Sequence, residues 1–241
     1  MRYGIFADIH GNLQAMEAVL AALSREGIHS YFCCGDVVGY GANPHECINL
    51  MWDRKITCVA GNHDWAVVDK TDIEYFNPAA RLAIEWTKNK VCREDMAFLD
   101  RLKLIHKNED FILVHGTLQE PSYFHYLIDV RQAAGMFFDM DRNLCFVGHS
   151  HVPAIFIEKG DEAVEDASLS VKIAPDRKYI VNVGSVGQPR DGNPMAAYCV
   201  LDTEKQIVQI RRVHYDIKEA QKRILAVGLT SFLAQRLEQG Q

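Results

Sequence analysis

Tyr3-Gly4-Ile5-Phe6-Ala7-Asp8-Ile9-His10-Gly11-Asn12 passes from a short apolar run into a cluster of polar groups. Residues 3–7 have the composition of a buried strand, and the run stops at Asp8. Asn12 is placed to cap a helix, because Leu13, Met16, Leu20 and Leu23 then recur at helical spacing. The pattern repeats downstream. Residues 30–34 form a second apolar run that ends at Gly35-Asp36, and residues 43–53 read as a helix with Pro44 in its first turn. Residues 56–60 form a third run, ending at Gly61-Asn62-His63-Asp64. Strand, helix, strand, helix, strand at this spacing implies parallel βαβ units.

Further along, residues 78–90 and 94–102 carry helical patterns, and residues 111–114 form a strand that ends at His115-Gly116. Residues 130–140 read as a helix, and residues 144–147 as a strand that ends at Gly148-His149-Ser150-His151. The character then turns to β, over residues 154–158, 168–173, 179–183, 196–201 and 206–213. A last amphipathic helix covers residues 217–237, with Gly228 as its break point. An early parallel sheet followed by a β-rich half gives an α/β fold class, with two packed sheets and helices outside. One domain over residues 1–241 is expected, with residues 65–104 as a helical cap over the crevice.

The chain of 241 residues is long enough to bury a core without staples. With 26 basic against 32 acidic side chains its net charge is −6, which argues against broad nucleic-acid binding. A phosphate-bearing substrate is compatible with that charge, since bound cations invert the local field. The seven cysteines match no zinc-finger spacing. Cys33, Cys34, Cys58, Cys145 and Cys199 lie in apolar runs and read as buried small hydrophobes in a reducing compartment. No apolar stretch approaches a signal peptide or membrane span, so a cytoplasmic location is expected.

The chemistry sits in five polar motifs, each following an apolar run: Asp8-Ile9-His10, Gly35-Asp36, Gly61-Asn62-His63-Asp64, His115-Gly116 and Gly148-His149-Ser150-His151. In open α/β sheets, ligand sites gather beyond the carboxyl ends of strands, so residues far apart in sequence would converge there. Carboxylate and imidazole together suit manganese, iron, zinc or nickel better than calcium. On an extended chain Asp8 and His10 point to the same side and could grip one ion, and the same pairing is expected of His149 and His151. One such motif has an ordinary structural explanation; five in order at strand ends indicate a metal site.

This ordered set resembles the calcineurin-like metallophosphoesterase superfamily. The stretches Asp8-Ile9-His10-Gly11-Asn12, Gly35-Asp36-Val37-Val38-Gly39-Tyr40-Gly41 and Gly184-Ser185-Val186-Gly187-Gln188-Pro189-Arg190 resemble its small bacterial phosphodiesterase branch. The resemblance implies a two-sheet α/β/β/α sandwich and two divalent metal ions, manganese first, with iron, zinc or nickel as alternatives. It implies that Asp8, His10 and His151 bind the first metal, that Asn62, His115 and His149 bind the second, and that Asp36 bridges both. His63 matches a non-ligand histidine that protonates the leaving oxygen, and Asp64 would orient it. The activity implied is hydrolysis of phosphate esters, small phosphodiesters first, by metal-activated hydroxide.

Two residues are expected to contact substrate phosphate: Asn12, whose alternative role is the helix cap, and Arg190, in a Gly-Gln-Pro-Arg turn. Tyr40, Tyr123, Phe124, His125 and Tyr126 read either as a pocket for a base or aryl group or as packing. Trp52 and Trp86 read as core on helical faces, and Trp65 as packing beneath the histidine motif. His29, His45, His106 and His214 match no ligand position. The partner expected is a small phosphate ester, nucleotides included, with no membrane and with a dimer as an open state. Competing activities are phosphomonoesterase or protein phosphatase and dinucleoside polyphosphate hydrolase. A metal-bound protein-interaction scaffold, as in the retromer coat, is the non-enzymatic alternative.

Overall fold

The apolar runs become the inner strands of two mixed sheets in a computed structural model that describes residues 1–241. In the first sheet β1 (Arg2–Phe6), β2 (Tyr31–Cys33) and β3 (Thr57–Cys58) run parallel. Helices α1 (Leu13–Arg25) and α2 (Pro44–Asp53) make the crossovers between them. On its other flank β1 pairs antiparallel with β11 (Ala196–Asp202), followed by β12 (Ile207–Val213) and β9 (Ser170–Lys172). The second sheet has the order β4 (Ile105–Lys107), β5 (Ile112–Val114), β6 (Leu144–Val147), β10 (Tyr179–Asn182), β7 (Ala154–Lys159), β8 (Glu162–Asp166). Its β5, β6 and β10 run parallel, and the remaining pairings are antiparallel.

The two sheets face each other, and the alternation along each inner strand explains why. Ile5 points between the sheets toward a cluster containing Phe146, Val181 and Cys199, whereas Phe6 points outward against Met16 and Leu23 of α1. In β6, Leu144 and Phe146 enter the inter-sheet core, while Cys145 and Val147 pack with Met136 and Phe137 of α6 (Val130–Phe138). Strands covered on both faces need apolar residues at every position, so they read as unbroken runs. The expected α/β/β/α sandwich is the architecture found.

Between β3 and β4 lie α3 (Asn62–Val67), α4 (Pro78–Lys88) and α5 (Arg93–Asp100). The expected last helix is two helices, α7 (Ile217–Ala226) and α8 (Ser231–Gln239), parted at Gly228, whose φ is +81°. Strands β4 and β8 were not legible, because both lie at sheet edges and carry polar side chains. Trp52 is a correction: it is half exposed and lies between Phe98 and the Arg101 guanidinium instead of in the core. Trp86 packs, partly buried, against the cluster that joins α4 to α7 and α8.

Candidate metal centre

The parallel strands aim their carboxyl ends at one edge of the sandwich. From the first sheet come Asp8 and His10 after β1, Asp36 after β2, and Asn62 at the start of α3. From the second come His115 after β5, then His149 and His151 after β6. Asp8, His10 and His151 present donor atoms within 4.8 Å of one another, and so do Asp36, His115 and His149. All six are buried.

The expectation that Asp8 and His10 share a side because they lie on a strand is corrected. Both follow the end of β1, and their φ values are +55° and +50°. Asp36, His149 and His151 are also left-handed, at +55°, +67° and +61°. Side chains with a Cβ rarely adopt this conformation, and such strain clusters where a surrounding structure holds residues for function. The turns are fixed by backbone bonds between the two loops, Asp8 N to Gly35 O at 2.9 Å and His10 N to Asp36 O at 3.0 Å.

The imidazoles are oriented by main-chain carbonyls. His10 Nδ1 lies 3.0 Å from Val38 O, His115 Nδ1 2.7 Å from Cys34 O, and His151 Nδ1 2.6 Å from Gln188 O. A carbonyl oxygen only accepts, so each Nδ1 donates, and in the neutral ring each Nε2 carries a lone pair. Those lone pairs converge on other acceptors. His10 Nε2 faces His151 Nε2 at 3.1 Å, and His115 Nε2 faces Asn62 Oδ1 at 3.1 Å. Asp36 Oδ2 lies 3.6 Å from His10 Nε2 and 3.3 Å from His115 Nε2, so one carboxylate oxygen stands between the two groups. Buried acceptors that face acceptors need a proton or a cation between them. Imidazole, carboxylate and carboxamide donors fit a pair of divalent transition ions.

Burial pushes the Asp8 carboxyl up to about 7. Burial would raise Asp36 too, but the adjacent His115 and His63 outweigh it and hold it well below the usual carboxylate range. For His115, burial is overcome by Asp36, and its pKa rises to about 10. Burial drives His10, His149 and His151 down, as expected of neutral ligands.

His63 sits over the same floor. Its ring is packed between Tyr40, at 4.6 Å between centroids, and Phe76, at 5.2 Å. Its Nδ1 is buried without a partner, and burial lowers its pKa to about 4. Gly39, at φ +94°, lets the backbone pass the ring; a Cβ there would overlap His63 Nδ1. At Gly61 a Cβ would overlap Asp36 Oδ1 in the same way.

Asp64 is corrected. Its carboxylate does not bond the His63 ring. It accepts from the N–H groups of Asp36 and Val37 at 2.9 Å, Gly61 at 3.0 Å and Val38 at 3.2 Å, and so ties the α3 start to the Asp36 loop. Asn12 uses its amide on two sides, accepting from Ala15 N at 3.1 Å and donating to Gly187 O at 2.9 Å. The helix cap is therefore realised by its geometry. Arg190 donates to Gln188 Oε1 at 2.9 Å, stands 5.8 Å from the Tyr40 ring, and keeps a buried Nε–H with no partner.

Sequence reading gave Ser185 no support role and placed Tyr126 only in a pocket or in packing. Ser185 Oγ donates to Asp8 O at 2.9 Å and accepts from Gln188 N at 2.8 Å, which places the carbonyl that orients His151. Tyr126 stacks on His149, with centroids 3.9 Å apart and planes 16° apart. Backbone-mediated support leaves no residue-type signature; the glycine-rich stretch before Arg190 was its only trace.

A cavity of about 660 Å³ opens over Asn62, His63 and His149. Residues 70–80 wall one side of it, and the 3-10 turn Pro121–Tyr123 with the residues after it walls the other. No helix is long and apolar enough to cross a membrane.

Comparison with known proteins agrees with this geometry. The family model described as the calcineurin-like phosphoesterase superfamily domain matches residues 1–206. The chain is 40% identical over 238 residues to an uncharacterised protein of Methanocaldococcus jannaschii, covering 97% of this chain and 96% of that one. It superposes on the crystal structure of a metallophosphoesterase from Sphaerobacter thermophilus with a TM-score of 0.88 and 36% identity, covering 100% of this chain and 99% of that one. A hypothetical protein from Pyrococcus horikoshii shares the fold, with a TM-score of 0.81 at 20% identity over 100% and 98% of the two chains. The order of the motifs, the edge on which they meet and the extent of these matches lead to one assignment: the chain belongs to the calcineurin-like phosphoesterase superfamily.

Proposed function

We propose that this protein hydrolyses small phosphodiesters at a centre of two divalent metal ions. The observation that carries the reading is the meeting of imidazole lone pairs with carboxylate and carboxamide oxygens in a buried floor. In this reading Asp8, His10 and His151 hold one ion, Asn62, His115 and His149 the other, and Asp36 is shared. Manganese is the first expectation for the metal, with iron, zinc and nickel fitting the same donors. When bound, such a pair neutralises phosphoryl charge and makes water acidic enough to attack at neutral pH.

The protein's own groups supply the rest. His63, held neutral by burial, gains a proton more readily beside an anionic phosphate and passes it to the leaving oxygen. Arg190, with its unmet Nε–H, meets a non-bridging phosphate oxygen. Asp64 and Gly39 act as positioning residues for the Asp36 loop and the His63 ring. Seven free thiols, five of them buried or partly buried in strands and strand ends, suit a reducing cytoplasm.

The test is hydrolysis of bis(p-nitrophenyl) phosphate against p-nitrophenyl phosphate. Metal-stripped protein would be resupplied separately with manganese, nickel, zinc and magnesium. Metal-dependent preference for the diester is expected. Preference for the monoester would replace the reading with a phosphatase, and two bound ions without turnover of either ester would favour the scaffold alternative.

A further inference from the structure

The cavity above the centre is walled by aromatic rings, and three of its tyrosines are left open to solvent. Tyr75 is 91% exposed and Tyr123 is 71% exposed, yet both line it, from opposite sides. Tyr126, 47% exposed, lies on His149 and continues the wall down to the floor. Phe76 closes the back against the His63 ring. Large apolar surface left in water at the mouth of a cleft marks a place where something flat is covered.

Lys70 and Asp72 are the charged residues of the wall apart from the histidines of the floor, and its other polar side chains are uncharged. Thr71 Oγ1 is buried with no partner, while Asn77 and Ser122 offer an amide and a hydroxyl. Asn77 Oδ1 already caps α4 through Ala80 N at 2.9 Å, which leaves its NH₂ as a donor. The one cation in the wall, Lys70, is held by the Asp100 carboxylate at 2.9 Å and lies over Trp65. Arg190 and Arg236 stand over the Tyr40 ring and form no part of this wall. A leaving group with further phosphates would find no free positive charge here, and would meet the Asp72 carboxylate. An uncharged group with a planar ring would find stacking surfaces and a few hydrogen bonds. The volume lies within the roughly 300–1,000 Å³ of small-molecule sites.

We infer that the cavity seats the leaving group of the substrate, and that this group is an uncharged alcohol bearing a planar aromatic ring, a nucleoside or an arylmethyl alcohol. The inference rests on the phosphodiesterase reading, because it places the leaving arm on the His63 side. One water is consumed: its oxygen bonds to phosphorus and the bond from phosphorus to the ring-bearing arm breaks. The departing oxygen keeps the electron pair and takes a proton from His63.

Three methyl phosphodiesters, with 5′-adenosyl, benzyl and abasic ribosyl second arms, offer similar primary alkoxides as leaving groups. With manganese-loaded protein, the adenosyl or benzyl ester is expected to turn over at least ~10-fold faster in kcat/KM than the abasic one, the scale of one stacked ring. Adenosine or benzyl alcohol, and not methanol, should be the alcohol released. The adenosyl and benzyl arms tell a nucleobase seat from a general aryl seat. In Tyr123→Ala and Tyr75→Ala, both at exposed positions, the ratio of ring-bearing to abasic rates should fall toward one. Equal rates for all three esters, release of methanol, or an unchanged ratio in both variants would overturn the inference and leave the phosphodiesterase reading intact. If no ester turns over, that reading fails, and adenosine binding to the metal-free protein decides the seat by calorimetry. Binding weakened in the tyrosine variants supports it, and no binding overturns it.

Discussion

Charges sit at both ends of the sheets, and the two ends handle them in opposite ways. At the amino end of β1, Glu26 accepts from Arg2 Nη2 at 2.6 Å and from Arg211, and all three side chains are partly exposed. Each of these three charges has a counter-charge within the chain. At the carboxyl end, Asp8, Asp36 and four histidines are buried with acceptors facing acceptors. The first arrangement stabilises the fold by itself; the second is incomplete without a cation from outside. An imbalance of donors held in place by strained backbone is thus a better marker of function than charge as such.

The largest effect should come from Asp36→Asn, which removes the shared carboxylate. Metal content measured by inductively coupled plasma spectrometry should fall for both ions, by more than the ~10–100-fold typical of losing an outer-shell partner. Unchanged loading would mean the two donor groups do not share Asp36. Next is His63→Ala, expected to keep both ions while slowing turnover by ~10²–10⁴. The loss should shrink for esters with good leaving groups. Loss of metal instead would move His63 among the ligands, a position that His10 and Asp36 within 4.8 Å also allow.

Between the two ends, Phe146→Ala should cost ~3–5 kcal/mol of stability by denaturant unfolding, because its ring fills the inter-sheet core. The smallest effect should be Glu26→Gln, about 1 kcal/mol at pH 7 for a partly buried pair with two arginines. Burial would raise Glu26, but Arg211 and Arg2 prevail and hold its pKa below 4.5 in the folded chain. Its contribution is then complete above pH 4.5 and is lost as pH falls through the lowered folded value. The gap between wild type and variant should close on acidification below that lowered value; a gap that persists would mean the pair acts through packing.

The sandwich and most of the candidate site were legible because they rest on pattern. Double-sided burial writes unbroken apolar runs, and metal donors are rare enough residue types to stand out behind them. What escaped is carried by backbone. The left-handed turns at Asp8 and His10 are not glycines, so nothing in their identity announces them. Asp64 was read as a partner of its neighbour His63, yet its carboxylate reaches back to the N–H groups of residues 36–38. Sequence adjacency suggested the wrong partner, because the nearest donors in space come from another loop. The edge strands β4 and β8 carry too few apolar residues to signal burial they do not have.

The pairing of β1 with β11 sets a timetable for the cell. Strand β1 lies between β2 and a strand that ends at residue 202. At ~5–20 residues per second that neighbour is made roughly 10–40 s after β1. Until then Asp8 and His10 have no Ser185–Gln188 loop behind them, and the His151 ring lacks the carbonyl that orients it. The nascent chain therefore displays unsheltered β-edges and metal-seeking side chains for tens of seconds. Chaperone protection belongs to the interval before the eleventh strand is made, and metal insertion to the time after it.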